Sequence, residues 1–222
     1  MIPSVQTTES PDGYICPATS ICDTADLRER IDTALRDLID ETDIRKTTVA
    51  ILRNVQTTGR DTITAAFNAD PFNARPTTRA ISWLTDVMVR EVLYVVLKYV
   101  HPQDAAQADR LSLIAVGGYG RGEMAPQSDV DLLFLTPTKM SPWAEGVIES
   151  MLYILWDLKL KVGHASRTVK DCVKLAREDF TIRTSLVETR LIAGDTKLAV
   201  QLGKRLWSDL FKSTAPEFID AK

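Results

Sequence analysis

Two aspartates separated by a single residue stand at the start of an apolar run. Asp129 and Asp131 belong to the stretch DVDLLFL, which ends at Leu135. Because side chains alternate along a strand, both carboxylates would lie on the same face, about 6–7 Å apart along the backbone. Two like charges at the mouth of a buried strand stay ionised most easily when a cation lies between them. All-oxygen ligands favour Mg²⁺ or Mn²⁺ over zinc, so the pair predicts a metal site.

A glycine-rich turn precedes the two aspartates. It reads GGYGRGEMAPQSD from Gly117 to Asp129. Gly117 and Gly118 have no side chain that would block a phosphate from their amides, and Arg121 offers a planar donor fork suited to phosphate oxygens. Ser128 adds a hydroxyl just before the first aspartate. A carboxylate pair facing a glycine-lined phosphate cradle is the equipment of metal-assisted phosphoryl or nucleotidyl transfer.

The spacing of this motif separates it from other glycine motifs. The turn contains no Gly-Lys-Ser/Thr sequence and does not match GxGxxG, so it is neither a P-loop nor a dinucleotide-binding fingerprint. An apolar residue and two glycines, then ten residues (119–128), then Asp-apolar-Asp resembles the signature of the polymerase-beta-like nucleotidyltransferase superfamily. The resemblance implies an α+β fold, in which a small mixed sheet is flanked by helices.

The remaining chain must supply the elements that position this site. Apolar residues recur at helical spacing from Leu27 to Leu38, and the first hundred residues look all-helical. Thr168 and Asp171 form a capping box that starts another helix. Further helices are predicted over residues 47–55, 78–100, 142–158, 179–193 and 195–211, and strands over 111–116, 130–135 and 160–167.

These elements divide the chain into four regions. We expect a flexible tail over 1–24, a helical N-terminal region over 25–75, and a nucleotidyltransferase core over 76–175. Residues 176–222 would begin a C-terminal helical region. The chain ends in PEFIDAK with no closing element after it, so we expect the front portion of a longer protein.

Three stretches closely resemble the bacterial PII uridylyltransferase/uridylyl-removing enzyme family, over about residues 75–200. They are GGYGRGEMAPQSDVDLLFL (117–135), LWDLKLKVGHASRTVKDC (155–172) and TSLVETRLIAGD (184–195). The resemblance implies transfer of UMP from UTP to a tyrosine hydroxyl of the PII signalling protein, with Mg²⁺ or Mn²⁺ and with release of pyrophosphate.

The same resemblance assigns roles to residues of the first stretch. It implies that Asp129 and Asp131 are the metal-binding catalytic aspartates, and that Gly117, Gly118 and Arg121 hold the triphosphate. Two related hypotheses stay open. The chain could be a related transferase, such as the adenylyltransferase of glutamine synthetase or an uncharacterised member with another acceptor. It could also be a module that binds nucleotide or PII without turnover.

The family also carries an HD phosphohydrolase domain that removes UMP and ACT domains that sense glutamine. The HD hydrolase needs a His-Asp metal pair, whereas His101 is followed by Pro102 and His164 by Ala165. We therefore expect this chain to uridylylate at most, without deuridylylation and without a glutamine response.

A third carboxylate is missing from the strand where many members of the superfamily have one. That strand reads KVGHASRT and contains no acid. Glu188, on a later predicted helix, could approach the site instead. Arg167 is a candidate contact for phosphate or base. His164 could touch the nucleotide or the nucleophile, or it could be a buried, hydrogen-bonded histidine.

Composition narrows the class of protein. The 27 basic and 30 acidic residues give a net charge of −3, which disfavours a general nucleic-acid binder. Cys16, Cys22 and Cys172 form no CxxC pair, and their sparse use suits a reducing compartment. We find no membrane-length apolar run and no secretory signal, and so expect a cytoplasmic protein without a membrane partner.

Overall fold

The N-terminal half of the molecule is a helical layer. The computed structural model describes residues 13–103 and 109–211. Its first helices are α1 (Ala18–Ile21), α2 (Thr24–Leu35), α3 (Glu41–Ala69) and α4 (Ala74–Val95), and α4 continues into one π-helical turn, Val96–Val100. The helix α2 begins where Asp23 accepts hydrogen bonds from two backbone N–H groups, and Asp40 does the same for α3.

Two predictions in this layer are wrong. The flexible tail was expected to reach residue 24, but α1 lies within it, Ile21 is buried, and Tyr14 and Ile15 pack against the core. Residues 1–12 of that predicted tail lie outside the described residues. The helix predicted over 47–55 is α3, which is far longer. Threonines that favour other conformations hide its length in the sequence, although their hydroxyls hydrogen-bond the backbone carbonyls four residues earlier.

The second half holds a four-stranded mixed sheet with helices on both faces. Its strands are β1 (Ser112–Ala115), β2 (Val130–Thr136), β3 (Val162–Thr168) and β4 (Arg190–Gly194), in the order β3-β2-β1-β4. Strand β1 is antiparallel to β2 and β4, whereas β2 and β3 are parallel. The helices are α5 (Gly117–Gly120), α6 (Pro142–Asp157), α7 (Val169–Glu178), α8 (Phe180–Val187) and α9 (Thr196–Leu206), and α9 is followed by a π-helical turn, Trp207–Phe211.

The sheet separates two apolar layers. Leu132 and Phe134 of β2 belong to the layer that contains α4 and α6, and Leu133 and Leu135 belong to the layer that contains α7 and α9. This alternation explains why β2 reads as a continuous apolar run. Asp131 shares the face of Leu133, so its carboxylate lies on the α7–α9 side at one end of the sheet.

The α+β prediction is confirmed, as is the capping box of Thr168 and Asp171. The region after residue 175 differs from its prediction. The predicted helix over 179–193 ends early as α8, and residues 190–194 form β4 against β1. The predicted core boundary at 175 is therefore wrong for the sheet, which needs β4. Of the predicted C-terminal region, residues 212–222 lie outside the described residues.

Candidate active site

Asp129 and Asp131 meet at the start of β2. Asp129 is exposed just before the strand, and Asp131 is half-buried within it. Burial raises the pKa of Asp131, and the charge of Asp129 raises it further. Each additional cation near these carboxylates would lower that pKa and stabilise the ionised form. The electrostatics therefore fit a bound divalent cation, as the sequence predicts.

Gly163 makes room for Asp131. It lies beside Asp131 in the parallel register of β2 and β3, and a Cβ built on it would come within 2.4 Å of Asp131 Oδ1. No residue with a side chain fits there without moving the carboxylate. Sequence reasoning noted this position only for its lack of an acid. A glycine inside a strand is itself a sign of such a close approach.

The glycine turn lies against the same carboxylate. Gly117 has φ +57°, a left-handed conformation that glycine adopts without strain, and a Cβ on it would lie 3.9 Å from Asp131 Oδ2. Residues 117–120 form the short helix α5 rather than an open turn. A Cβ on Gly118 would lie 3.6 Å from Arg121 Nη2. The structure thus brings together Asp131, Gly117, Gly118 and Arg121.

Arg121 and Glu188 form an ion pair across the site. Arg121 Nη1 donates to Glu188 Oε2, with about half of the arginine side chain exposed. Glu188 follows α8, and its carbonyl lies so close to Gly120 that a Cβ there would come within 1.9 Å. Glu188 therefore approaches the site as anticipated, but as a partner of Arg121. Among the described residues, no three His, Cys, Asp or Glu side chains cluster as a metal site.

Ser128 shapes the end of the turn. Its hydroxyl accepts a hydrogen bond from the Ala125 N–H at 3.0 Å, and its own N–H donates to the Ala125 carbonyl at 3.0 Å. These bonds close a tight turn immediately before Asp129. The hydroxyl keeps its proton free to donate, since it acts here as an acceptor.

Arg167 lies away from the aspartates. It pairs with Leu135 in the sheet, four residues along from Asp131, which is about 13 Å at strand spacing. Its charge acts instead on Cys172 of α7: burial raises the pKa of this thiol to about 12, and Arg167 opposes that rise. The prediction that Arg167 contacts nucleotide phosphate or base finds no support in this placement.

His164 lies on the opposite face of the sheet. It pairs with Leu132, whose side chain belongs to the other apolar layer, and its ring meets that of Trp156 edge-on at 6.4 Å. The side chain is exposed. The interpretation of His164 as a buried, hydrogen-bonded histidine is therefore wrong, and its side chain lies on the face of the sheet opposite that of Asp131.

A buried ion pair that sequence reasoning missed supports the turn from below. Arg190, the first residue of β4, donates to both carboxylate oxygens of Asp86 on α4 and to the Tyr119 carbonyl at 3.1 Å. Arg90 approaches the same carboxylate at 3.8 Å. The sequence signal was the pair of ionisable residues inside otherwise apolar segments, at Asp86 and Arg190.

A small mixed sheet that presents two aspartates beside a glycine turn defines a nucleotidyltransferase. The family model described as glutamate-ammonia ligase adenylyltransferase matches residues 15–155. The chain belongs to this family of nucleotidyltransferases, and the predicted α+β nucleotidyltransferase fold is confirmed.

The curated relatives of this chain are named as uridylyltransferases rather than adenylyltransferases, and both names denote nucleotidyl transfer. The chain is similar to the bifunctional uridylyltransferase/uridylyl-removing enzymes of Ruegeria pomeroyi (56% identity over 90% of this chain), Cereibacter sphaeroides (50% over 95%) and Caulobacter vibrioides (43% over 88%). It covers 22%, 23% and 21% of their lengths, so it spans about a fifth of each. The predicted resemblance is confirmed.

None of the described helices is both long enough and apolar enough to cross a bilayer.

Proposed function

We propose that this chain transfers UMP from UTP to a tyrosine hydroxyl of the PII signalling protein, releasing pyrophosphate. The observation that carries the proposal is the half-buried Asp131, with Asp129 before it and Gly117 against its carboxylate. The names of the curated relatives support uridylyl transfer over other nucleotidyl transfers. The three free cysteines suit a reducing compartment, and the proposed setting is the cytoplasm.

In this proposal Asp129 and Asp131 hold Mg²⁺ or Mn²⁺. Because the described residues offer no third carboxylate beside them, phosphate oxygens and water would complete the ligand set, an arrangement typical of Mg²⁺. When bound, the metal would neutralise triphosphate charge and favour deprotonation of the attacking hydroxyl.

The remaining site residues bind and orient the triphosphate. Gly117 and Gly118 let it approach the backbone closely. The guanidinium of Arg121 would pair with phosphate oxygens after its ion pair with Glu188 breaks. Ser128 sets the turn from which Asp129 projects and has a proton to donate. The tyrosine oxygen would then attack the α-phosphorus, and pyrophosphate would leave.

Removal of UMP is not part of the proposal. The sequence offers no His-Asp pair, since Pro102 follows His101 and Ala165 follows His164. Incubating uridylylated PII with this chain checks for loss of UMP, and incubating unmodified PII with UTP, with and without glutamine, checks the rate of transfer. We expect neither loss of UMP nor a change in the rate of transfer.

An intact-mass assay tests the proposed transfer directly. This chain is mixed with a PII protein, Mg²⁺ and either UTP or ATP, and the PII subunit is weighed. A gain of one uridylyl group per subunit, with UTP only and lost in Asp129→Asn, is the expected result. Transfer that survives Asp129→Asn in a folded variant contradicts the assigned metal site.

Adenylyl transfer to another protein is the second candidate, because the matching family model is described as an adenylyltransferase of glutamate-ammonia ligase. The same assay with glutamine synthetase as acceptor and ATP as donor discriminates the two. If neither acceptor gains mass while UTP still binds, a module that binds nucleotide without turnover takes the place of both.

A further inference from the structure

A buried arginine joins three separate parts of the molecule. Arg190 and Asp86 are both almost fully buried, with 9% and 3% of their side chains exposed. The Arg190 Nη2 donates to Asp86 Oδ1 at 3.0 Å, and Nη1 donates to the other carboxylate oxygen. This bidentate pair links the start of β4 to the middle of α4, on the helical layer.

The same guanidinium reaches the glycine turn. Nη2 also donates to the Tyr119 carbonyl at 3.1 Å, and the guanidinium carbon lies 5.4 Å from the centre of the buried Tyr119 ring. A Cβ on Gly122 would lie 3.8 Å from Arg190 Nε. Tyr119 stands between Gly118 and Arg121, which are the residues assigned to the triphosphate. Arg190 therefore holds the backbone of that segment without facing the nucleotide itself.

A buried ion pair need not exist for stability alone. Removing two charges from water is costly, and apolar replacements of such pairs are often neutral or stabilising. The Arg190–Asp86 pair does more than join two elements, because Arg190 also donates a hydrogen bond to the main-chain carbonyl of Tyr119 in the site. A hydrogen bond from a buried charged donor fixes its acceptor more firmly than a neutral one does.

We propose that Arg190 is a positioning residue for residues 117–122, and that nucleoside triphosphate affinity depends on it through the Tyr119 carbonyl. This inference rests on the proposed function for its nucleotide. Its structural half, the fixing of the turn, stands without any nucleotide.

Arg190→Lys tests the inference, since lysine keeps the charge opposite Asp86 but has no fork to hold carboxylate and carbonyl together. A double variant, Asp86→Leu with Arg190→Met, removes the buried charges as a pair and guards against simple misfolding. The control is Arg28→Lys. Arg28 makes a comparable fork to Glu91 of α4, at 2.6 and 2.7 Å, but joins α4 to α2.

Two measurements are made on each folded variant of the full chain. Hydrogen–deuterium exchange without nucleotide should be faster over residues 117–122 in both Arg190 variants and unchanged there in Arg28→Lys. Calorimetry with UTP and Mg²⁺ should show a dissociation constant about tenfold larger in both Arg190 variants, at unchanged stoichiometry. A merely structural role would lower the stoichiometry, through unfolded protein, and leave the affinity of the remaining sites intact.

The outcomes separate the two proposals. Unchanged exchange over 117–122 in a folded Arg190 variant overturns the positioning role, as does unchanged UTP affinity. Failure of the unaltered chain to bind any nucleoside triphosphate overturns the proposed function instead. In that case the exchange measurement still decides whether Arg190 fixes the turn.

Discussion

Gly163 and Asp131 lie side by side on neighbouring parallel strands, so closely that a Cβ on Gly163 would come within 2.4 Å of Asp131 Oδ1. The carboxylate occupies the space that any other residue at 163 would fill. The position of the oxygen that we propose binds metal is therefore determined by the absence of a side chain at residue 163 of the adjacent strand. This relationship ties β3, which supplies no acid, to the chemistry of the site.

Gly163→Ala should weaken divalent metal binding with little loss of stability. The atom in the way is the end of a side chain, so the fold can adapt if the Asp131 carboxylate turns aside. We expect about a tenfold or greater loss of Mn²⁺ affinity in the presence of UTP, since misplaced ligands lose most of their coordination. Calorimetry measures the affinity, and urea denaturation measures the stability. The exposed neighbour His164→Ala is the control; equal metal binding in both variants would contradict the arrangement.

Asp131→Asn should abolish transfer and leave the metal-free protein at least as stable. Burial, and then the charge of Asp129, raise the pKa of Asp131 above its unfolded value. Stability from its protonated form is therefore present below the unfolded pKa and lost as pH rises through the folded pKa. Thermal midpoints taken without divalent metal should fall over that window in the unaltered chain and stay flatter in the asparagine variant. A lower midpoint for Asp131→Asn at neutral pH would contradict this.

Glu188→Gln should tighten nucleotide binding. Its carboxylate pairs with Arg121 and would repel the triphosphate that competes for the same fork. Exposed pairs of this kind contribute up to about 1 kcal/mol, so the affinity for UTP should rise up to about fivefold at low salt. Calorimetry at two salt concentrations checks the effect.

The control for Glu188→Gln is Glu123→Gln, which lies in the same turn as Arg121. Glu123 pairs with Arg75 at 2.7 Å and acts on Arg121 through its charge rather than through a hydrogen bond. Its loss should therefore change UTP affinity much less than the loss of Glu188 does. Weaker UTP or Mn²⁺ binding in Glu188→Gln would mean that Glu188 orients Arg121 or joins the metal ligands.

Sequence reasoning could propose the candidate site because its residues are close along the chain. The glycine turn and the two aspartates lie within 117–131, and local strand geometry places Gly117 against Asp131. It failed for contacts that depend on how distant strands pair. Strand β4 was missed because its five residues are defined by pairing with β1. The distance between Arg167 and Asp131 was not foreseen, because the register of Arg167 against Leu135 cannot be read locally.

Arg167→Ala should leave UTP affinity unchanged, whereas Arg121→Ala should weaken it. Arg167 lies about 13 Å along the strand from the level of Asp131, outside the turn that we propose holds the triphosphate. Arg121 lies against Gly118, within the turn. Comparing the two variants by calorimetry with UTP and Mg²⁺ separates the two arginines. An equal loss in both would show that the nucleotide extends along β3.

The helical layer should carry an acid-sensitive contact at Asp32 of α2. Burial acts to raise the pKa of its carboxyl, but hydrogen bonds from Tyr94, Lys98 and Tyr99 outweigh it and lower the pKa to about 2. Because the folded pKa lies below the unfolded value of about 3.9, the contact stabilises the fold above that pH and is lost as pH falls from about 4 to about 2.

Asp32→Asn should therefore lower the urea midpoint at pH 5–7, and the gap from the unaltered chain should narrow as pH falls through that window. Asp26→Asn on the same helix is the control, because Asp26 makes only a 3.4 Å pair with Arg30 on the exposed surface. A difference in urea midpoint that stays constant down to pH 2 would mean that Asp32→Asn destabilises the fold through altered packing rather than through the lost charge. The expected narrowing would identify the carboxylate as the group that joins α2 to α4 and its π-helical turn.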